Sequence, residues 1–261
     1  MALVNLMMTS YYLNMDIEVA VYLPENTKTL EEYHPNKKYP VIYCLHGYRS
    51  NYMAWINRSM LPMIARKYEC IVVMPDARNS FYTRGKNGFN YYDFISKELP
   101  IKIANFFPAS IKKEDSFIMG ASMGGYGALL LAMTNPDKYA AAYSFSGALD
   151  FQYQDGVVFG FDQRMSSQAM GAFGSAEEFE QSDYCLRNLL KKFDQLDGDK
   201  PRLKMICGTE DRLCYKYNEN LIQFIRENTS LDVEYETGPG DHDYYFWSPY
   251  IEDAFHFFGF M

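Results

Sequence analysis

The stretch Gly120-Ala-Ser-Met-Gly124 sets a serine between two glycines in the G-x-S-x-G spacing of a nucleophile turn. A serine hydroxyl is a weak nucleophile until an adjacent base takes its proton. The chemistry on offer at Ser122 is therefore acyl transfer, which needs a base, an acid to orient that base, and N–H donors for a developing oxyanion. Small flanking residues suit a serine on a sharp, strained strand-to-helix turn. Gly125 and Gly127 would then let the following helix pack closely on a sheet. The setting gives the motif its weight: the apolar run Phe117-Ile-Met119 precedes it, and a small-residue helical stretch, 125–133, follows.

The base has few candidates, because the chain contains 4 histidines. Around this turn the partners follow the serine in the order Asp or Glu, then His. His34, before Pro35 in a polar loop, and His46 both precede Ser122. His256 sits in a helical pattern at a position that reads as surface. His242 remains, in the loop Gly238-Pro-Gly-Asp-His242 just after the last strand-like run, where open α/β sheets place their chemistry. The acid should follow an earlier strand. Gly208-Thr-Glu-Asp211 does so, and spacing alone leaves Glu210 and Asp211 both open; Asp76 precedes the serine and Asp150 follows another strand-like run. His46-Gly47-Tyr48 closes the run Val41-Ile-Tyr-Cys-Leu45, which assigns the oxyanion donors to the backbone amides of Tyr48 and Met123.

Elements able to position these residues are visible in the apolar pattern. Short continuous runs at 41–45, 70–74, 117–119, 143–145 and 203–207 alternate with helical stretches at 53–67, 91–107, 125–133 and 249–258. That rhythm indicates parallel strands covered on both faces. Residues 232–236 alternate and so belong nearer an edge, while 2–8 and 16–23 come before any helix and read as an antiparallel edge hairpin. The expectation is one α/β domain over 1–261. The segment 150–175 lacks clear periodicity, which makes 150–182 a lid or pocket-wall insertion.

Composition narrows the class. A formal charge of −8 disfavours nucleic acid and anionic membrane as partners. No run approaches the roughly 18–20 apolar residues that span a bilayer. Residues 1–10 lack a basic n-region and read as a strand rather than a signal peptide. The 5 cysteines are scattered without CxxC spacing, as expected of free core thiols in a reducing cytoplasm. Nothing in the pattern calls for a metal or organic cofactor, and a homo-oligomer stays open.

The chain resembles the esterase D family, most closely its bacterial tributyrin-esterase (EstA-like) branch. The matching stretches are Leu45-His-Gly-Tyr48 with Trp55, Met74-Pro-Asp76, Phe81-Tyr-Thr83, Tyr91-Tyr92 with Glu98-Leu-Pro100, Gly120 through Ala128, Cys207 through Asp211, and Asp241-His-Asp-Tyr-Tyr-Phe-Trp247. They run in order over nearly the whole chain. The resemblance implies an α/β-hydrolase fold with Ser122, Asp211 and His242 as triad, favours Asp211 over Glu210, and implies a small short-chain ester or thioester as substrate. S-formylglutathione hydrolysis and removal of acetyl or feruloyl groups from plant-derived esters are the neighbouring specificities. An acyltransferase or a non-catalytic binding module on the same scaffold are further readings. One departure stands out: relatives tend to carry Trp two residues after the histidine, where this chain has Tyr244.

Overall fold

Apolar runs become the centre of one sheet. In the computed structural model, which describes residues 1–25, 36–86, 88–150, 153–154, 157–158 and 163–261, eight strands join in the order β1-β2-β4-β3-β5-β6-β9-β10. These are β1 (Ala2–Ser10), β2 (Met15–Leu23), β3 (Val41–Leu45), β4 (Ile71–Pro75), β5 (Ser116–Ala121), β6 (Ala141–Phe145), β9 (Arg202–Gly208) and β10 (Val233–Gly238). A separate two-residue pair, β7 (Tyr153–Gln154) and β8 (Val157–Val158), lies in the 150–182 segment. Strands β3, β4 and β6 are buried along their full length, as continuous apolar runs under helices require. They and β5, β9 and β10 run parallel. β1 and β2 form the expected antiparallel hairpin, which joins the sheet through β2 against β4. β10 is the other edge, and its burial alternates. His34 lies outside the described residues.

Two cores flank the sheet, one on each face. The helix Met123–Thr134 is buried from Met123 to Met133, so its apolar residues show no single face. Gly120 and Gly124 are where it meets the strands. A Cβ on Gly120 would fall 2.3 Å from the Gly124 carbonyl oxygen, and one on Gly124 would fall 2.3 Å from that of Leu45. Gly125 faces Ser144 of β6, as close sheet packing demands. Gly127 instead abuts the Tyr82 ring, so its smallness serves the loop after β4 rather than the sheet.

Three helical stretches differ from their sequence expectation for local reasons. The 53–67 stretch divides into Ala54–Arg58 and Leu61–Ala65, because Pro62 cannot donate to the Arg58 carbonyl and Ser59 turns extended between them. The 91–107 stretch contains a π-turn, Phe94–Glu98; Pro100 again lacks the N–H that Ser96 O would accept, and Lys138 Nζ donates there instead at 2.8 Å. The aperiodic 150–175 segment contains the helix Gln163–Phe173. Among its described side chains Ala169, Ala172 and Phe173 are buried, and alanines mark a hydrophobic face weakly.

Gly124→Ala should lower stability by about 2 kcal/mol or more, since its Cβ meets strand backbone that cannot yield; urea unfolding monitored by circular dichroism reads the change.

Candidate active site

The strand ends of β3, β5, β9 and β10 carry the predicted groups. Ser122 ends β5 and caps the helix Met123–Thr134 with φ 57° and ψ −119°, a strained backbone for a residue with a side chain. The strain is held by hydrogen bonds on both sides: Ser122 N–H donates to Phe145 O at 2.9 Å, and Ser122 O accepts from Tyr126 and Ala148 N–H, both at 3.1 Å. Met123 N–H is the first of the helix, a position without an intrahelical acceptor. Gly47 presses against the same turn, since a Cβ there would sit 3.4 Å from Ser122 Cβ. Tyr48 is therefore the next residue along a segment already in contact with Ser122.

That segment is fixed by His46, which is fully buried and structural. Its Nε2 accepts from Ala77 N–H at 2.9 Å and lies 3.3 Å from Asp76 Oδ1, and its Nδ1 lies 2.8 Å from Gly47 O. Tyr82 OH donates to His46 O at 2.8 Å, and Trp55 Nε1 donates to Leu45 O at 2.9 Å. His256 lies on an exposed helical position, as expected, with Nε2 3.0 Å from Tyr68 OH.

The structure separates the two adjacent carboxylates. Glu210 is exposed, whereas Asp211 is 2% exposed and its Oδ2 accepts from His242 Nδ1 at 2.7 Å. Asp211 Oδ1 accepts from the N–H groups of Leu213 and Cys214 at 2.9 and 2.8 Å. Burial pushes this carboxyl's pKa up, but the His242 bond and charge, the Cys214 amide and the Ser146 hydroxyl outweigh it and hold it below the ordinary carboxylate range. Asp211 thus stays ionised at neutral pH and keeps the His242 proton on Nδ1, leaving Nε2 as the basic nitrogen. Among the described hydrogen bonds none joins Ser122 Oγ to His242; such contacts commonly tighten only when substrate is bound. Asp150, the other acid considered, forms a two-point pair with Arg187 at 2.7 and 2.8 Å.

Residues just past the histidine explain their own types. Asp243 caps the short helix Tyr244–Trp247, accepting from Tyr245 and Phe246 N–H at 3.0 Å. The helix sets the Trp247 ring edge-on to His242, centroids 5.1 Å apart. Tyr244 packs its ring between Trp55 and Trp247, at 5.4 and 4.8 Å. Sequence reading missed Ser146, a fully buried residue with φ 44° whose Oγ accepts from Trp247 Nε1 at 3.0 Å. It ties the ring beside His242 to the carboxylate behind it. A serine ending an apolar strand was its only signal.

Asp211, Cys214 and His242 offer atoms close enough to hold a metal ion. Their chemistry points elsewhere: burial raises the Cys214 thiol well above its ordinary value, and Asp211 and His242 are committed to each other.

Ser146→Ala should lose about 1–3 kcal/mol, because it leaves the Trp247 N–H buried without an acceptor and removes a donor from ionised Asp211. Asp211's depressed pKa contributes stability above its unfolded value, and that share is lost as pH falls through the folded value. The variant's deficit should therefore be larger at pH 7 than near pH 3, as urea titrations at both pH values would measure.

Known proteins resemble this chain over nearly its full length. Residues 10–258 match the model of the family described as "Putative esterase". An "Acetyl esterase" of Caldicellulosiruptor saccharolyticus is 30% identical over 260 residues, 98% of this chain and 97% of its own. The fluorophosphonate-binding serine hydrolase F (FphF) of Staphylococcus aureus superposes with a TM-score of 0.85 at 28% identity, covering 98% of both chains. An S-formylglutathione hydrolase (FrmB) from the same organism superposes with a TM-score of 0.82 at 27% identity, also covering 98% of both.

Proposed function

Because this chain belongs to the esterase family whose model spans residues 10–258, we propose that it hydrolyses short-chain acyl esters through an acyl-enzyme on Ser122. It has the α/β-hydrolase fold and is a serine esterase, a hydrolase of carboxylic esters. The observation that carries the residue roles is the 2.7 Å bond from His242 Nδ1 to buried Asp211, on the same sheet edge as the strained Ser122 turn.

In the proposed reaction His242 Nε2 takes the Ser122 Oγ proton as Oγ attacks the ester carbonyl carbon. The carbonyl oxygen gains the negative charge and is held by the Tyr48 and Met123 amides. His242 then returns the proton to the leaving alcohol, and the C–O bond breaks to give the acyl-serine. Water, deprotonated by the same nitrogen, releases the acid and restores Ser122. Asp211 keeps the imidazole in the required tautomer and stabilises its cation. The site needs no cofactor for this sequence of steps.

The 30%-identical acetyl esterase supports a small acyl group. The S-formylglutathione hydrolase at 27% identity supports a second reading, a short-chain thioesterase. Comparing kcat/KM for S-formylglutathione with that for phenyl acetate separates the two. A cytoplasmic location goes with this proposal, in keeping with 5 unpaired cysteines; among the described residues no helix is long and apolar enough to cross a membrane.

Ser122→Ala should abolish p-nitrophenyl acetate turnover and labelling by a fluorophosphonate probe. Asp211→Asn should lower kcat by about 10³–10⁴-fold, while Glu210→Gln keeps most of it. Retained turnover in Ser122→Ala, or equal losses in the two acid variants, would sink the assignment.

A further inference from the structure

Beyond the C-terminal end of β4 lies a cavity of about 450 Å³, walled by loop residues between Arg78 and Gly85, by Phe89 and Tyr91, and by helix residues from Ser167 to Ala172. That volume is within the range of small-molecule sites. Neither Ser122 nor His242 lines it, so it is distinct from the catalytic groups. Among the described residues, Arg78, an exposed side chain, is the one cation that lines it, and no described carboxylate does. Neighbouring cations are spent in ion pairs: Arg84 with Asp93 at 3.1 Å and Lys86 with Glu178 at 2.7 Å. Arg78 has no ion-pair partner among the described residues.

Two further features mark the cavity as built for a ligand. Tyr91, 2% exposed, lines it, and its buried hydroxyl has no hydrogen-bond partner among the described residues. Burial pushes that hydroxyl's pKa up to about 12, with the Arg78 charge pulling the other way, so it remains a donor beside the guanidinium. A buried donor left unpaired costs stability and calls for an explanation. The loop is also strained where it turns, with φ of 46°, 51° and 58° at Arg78, Phe81 and Tyr82. Phe89 and Tyr91 supply aromatic surface opposite the small residues Gly171 and Ala172.

The cavity adjoins the catalytic edge through Gln168. Its Oε1 accepts from Asn79 Nδ2 at 3.1 Å and from the hydroxyl of Tyr48, the residue whose amide is the proposed oxyanion donor. We infer that the cavity binds the carboxylate-bearing aryl end of an ester substrate, remote from the bond that is cleaved. This rests on the esterase reading for its use, though not for the binding itself. One guanidinium with neutral donors matches a monoanionic, planar carboxylate; a phosphate dianion would meet only one cation. The aromatic walls suit a flat ring between that carboxylate and the ester.

Calorimetric titration with 3-(4-hydroxyphenyl)propionate and with its primary amide tests the site on the intact protein. The acid should bind about tenfold tighter than the amide, from its charge-assisted hydrogen bonds. Arg78→Gln should remove that preference, and added salt should weaken it. Tyr91→Phe should reduce it while the protein melts no lower than wild type, which a purely structural tyrosine would not do. With the acetyl esters of the same two compounds, the acid-to-amide ratio of kcat/KM should follow the binding. Equal affinity for acid and amide, or a preference that survives Arg78→Gln, would overturn the inference. Acid-selective binding without turnover of either ester would support the cavity and count against the esterase reading instead.

Discussion

Everything at the site depends on how closely one helix approaches two strand ends. Gly124 lies against the carbonyls of Leu45 and His46, and Gly120 lies against Gly124. That contact leaves no space for a Cβ at either position, and it forces Ser122 into its left-handed conformation. The same crowding sets the Gly47–Tyr48 segment beside Ser122. Strain at Ser122 is tolerated because its N–H and C=O are bonded to the strand and helix on either side. Position of the serine and position of the Gly47–Tyr48 segment are thus one structural fact.

A buried carboxylate organises the other half of the site. Asp211 out of water would favour its neutral form, and only converging donors keep it charged. Two of those donors are amides of its own loop, which turn the side chain inward and leave Glu210 in solvent. The remaining donors come from β6 and from the loop after β10. Ser146 accepts from Trp247 and so connects the carboxylate to the ring that flanks His242. Charge, tautomer and ring orientation are coupled through these few atoms.

Much of the architecture is written in local pattern. Continuous apolar runs marked the central strands, alternation marked β10 as an edge, and the hairpin of β1 and β2 followed from its place ahead of any helix. The stretches that read differently did so for identifiable reasons. Pro62 and Pro100 each withhold an N–H, which divides one helix and inserts a π-turn in another. The helix Gln163–Phe173 went unread because two of its three buried described residues, Ala169 and Ala172, are alanines.

For the site, the sequence alone pointed to the proposed nucleophile turn at Ser122 and, by chain order and a short supply of histidines, to His242 as the proposed base. Spacing could not divide Glu210 from Asp211, because adjacent carboxylates share the same local surroundings, and only the family resemblance favoured Asp211. Tertiary structure made that choice by burying one beside the imidazole. It also decided the role of Ser146, whose bond to Trp247 joins residues 101 positions apart. A residue type and its near neighbours fix the turn it can make, whereas burial and distant hydrogen bonds exist only once the strands are side by side.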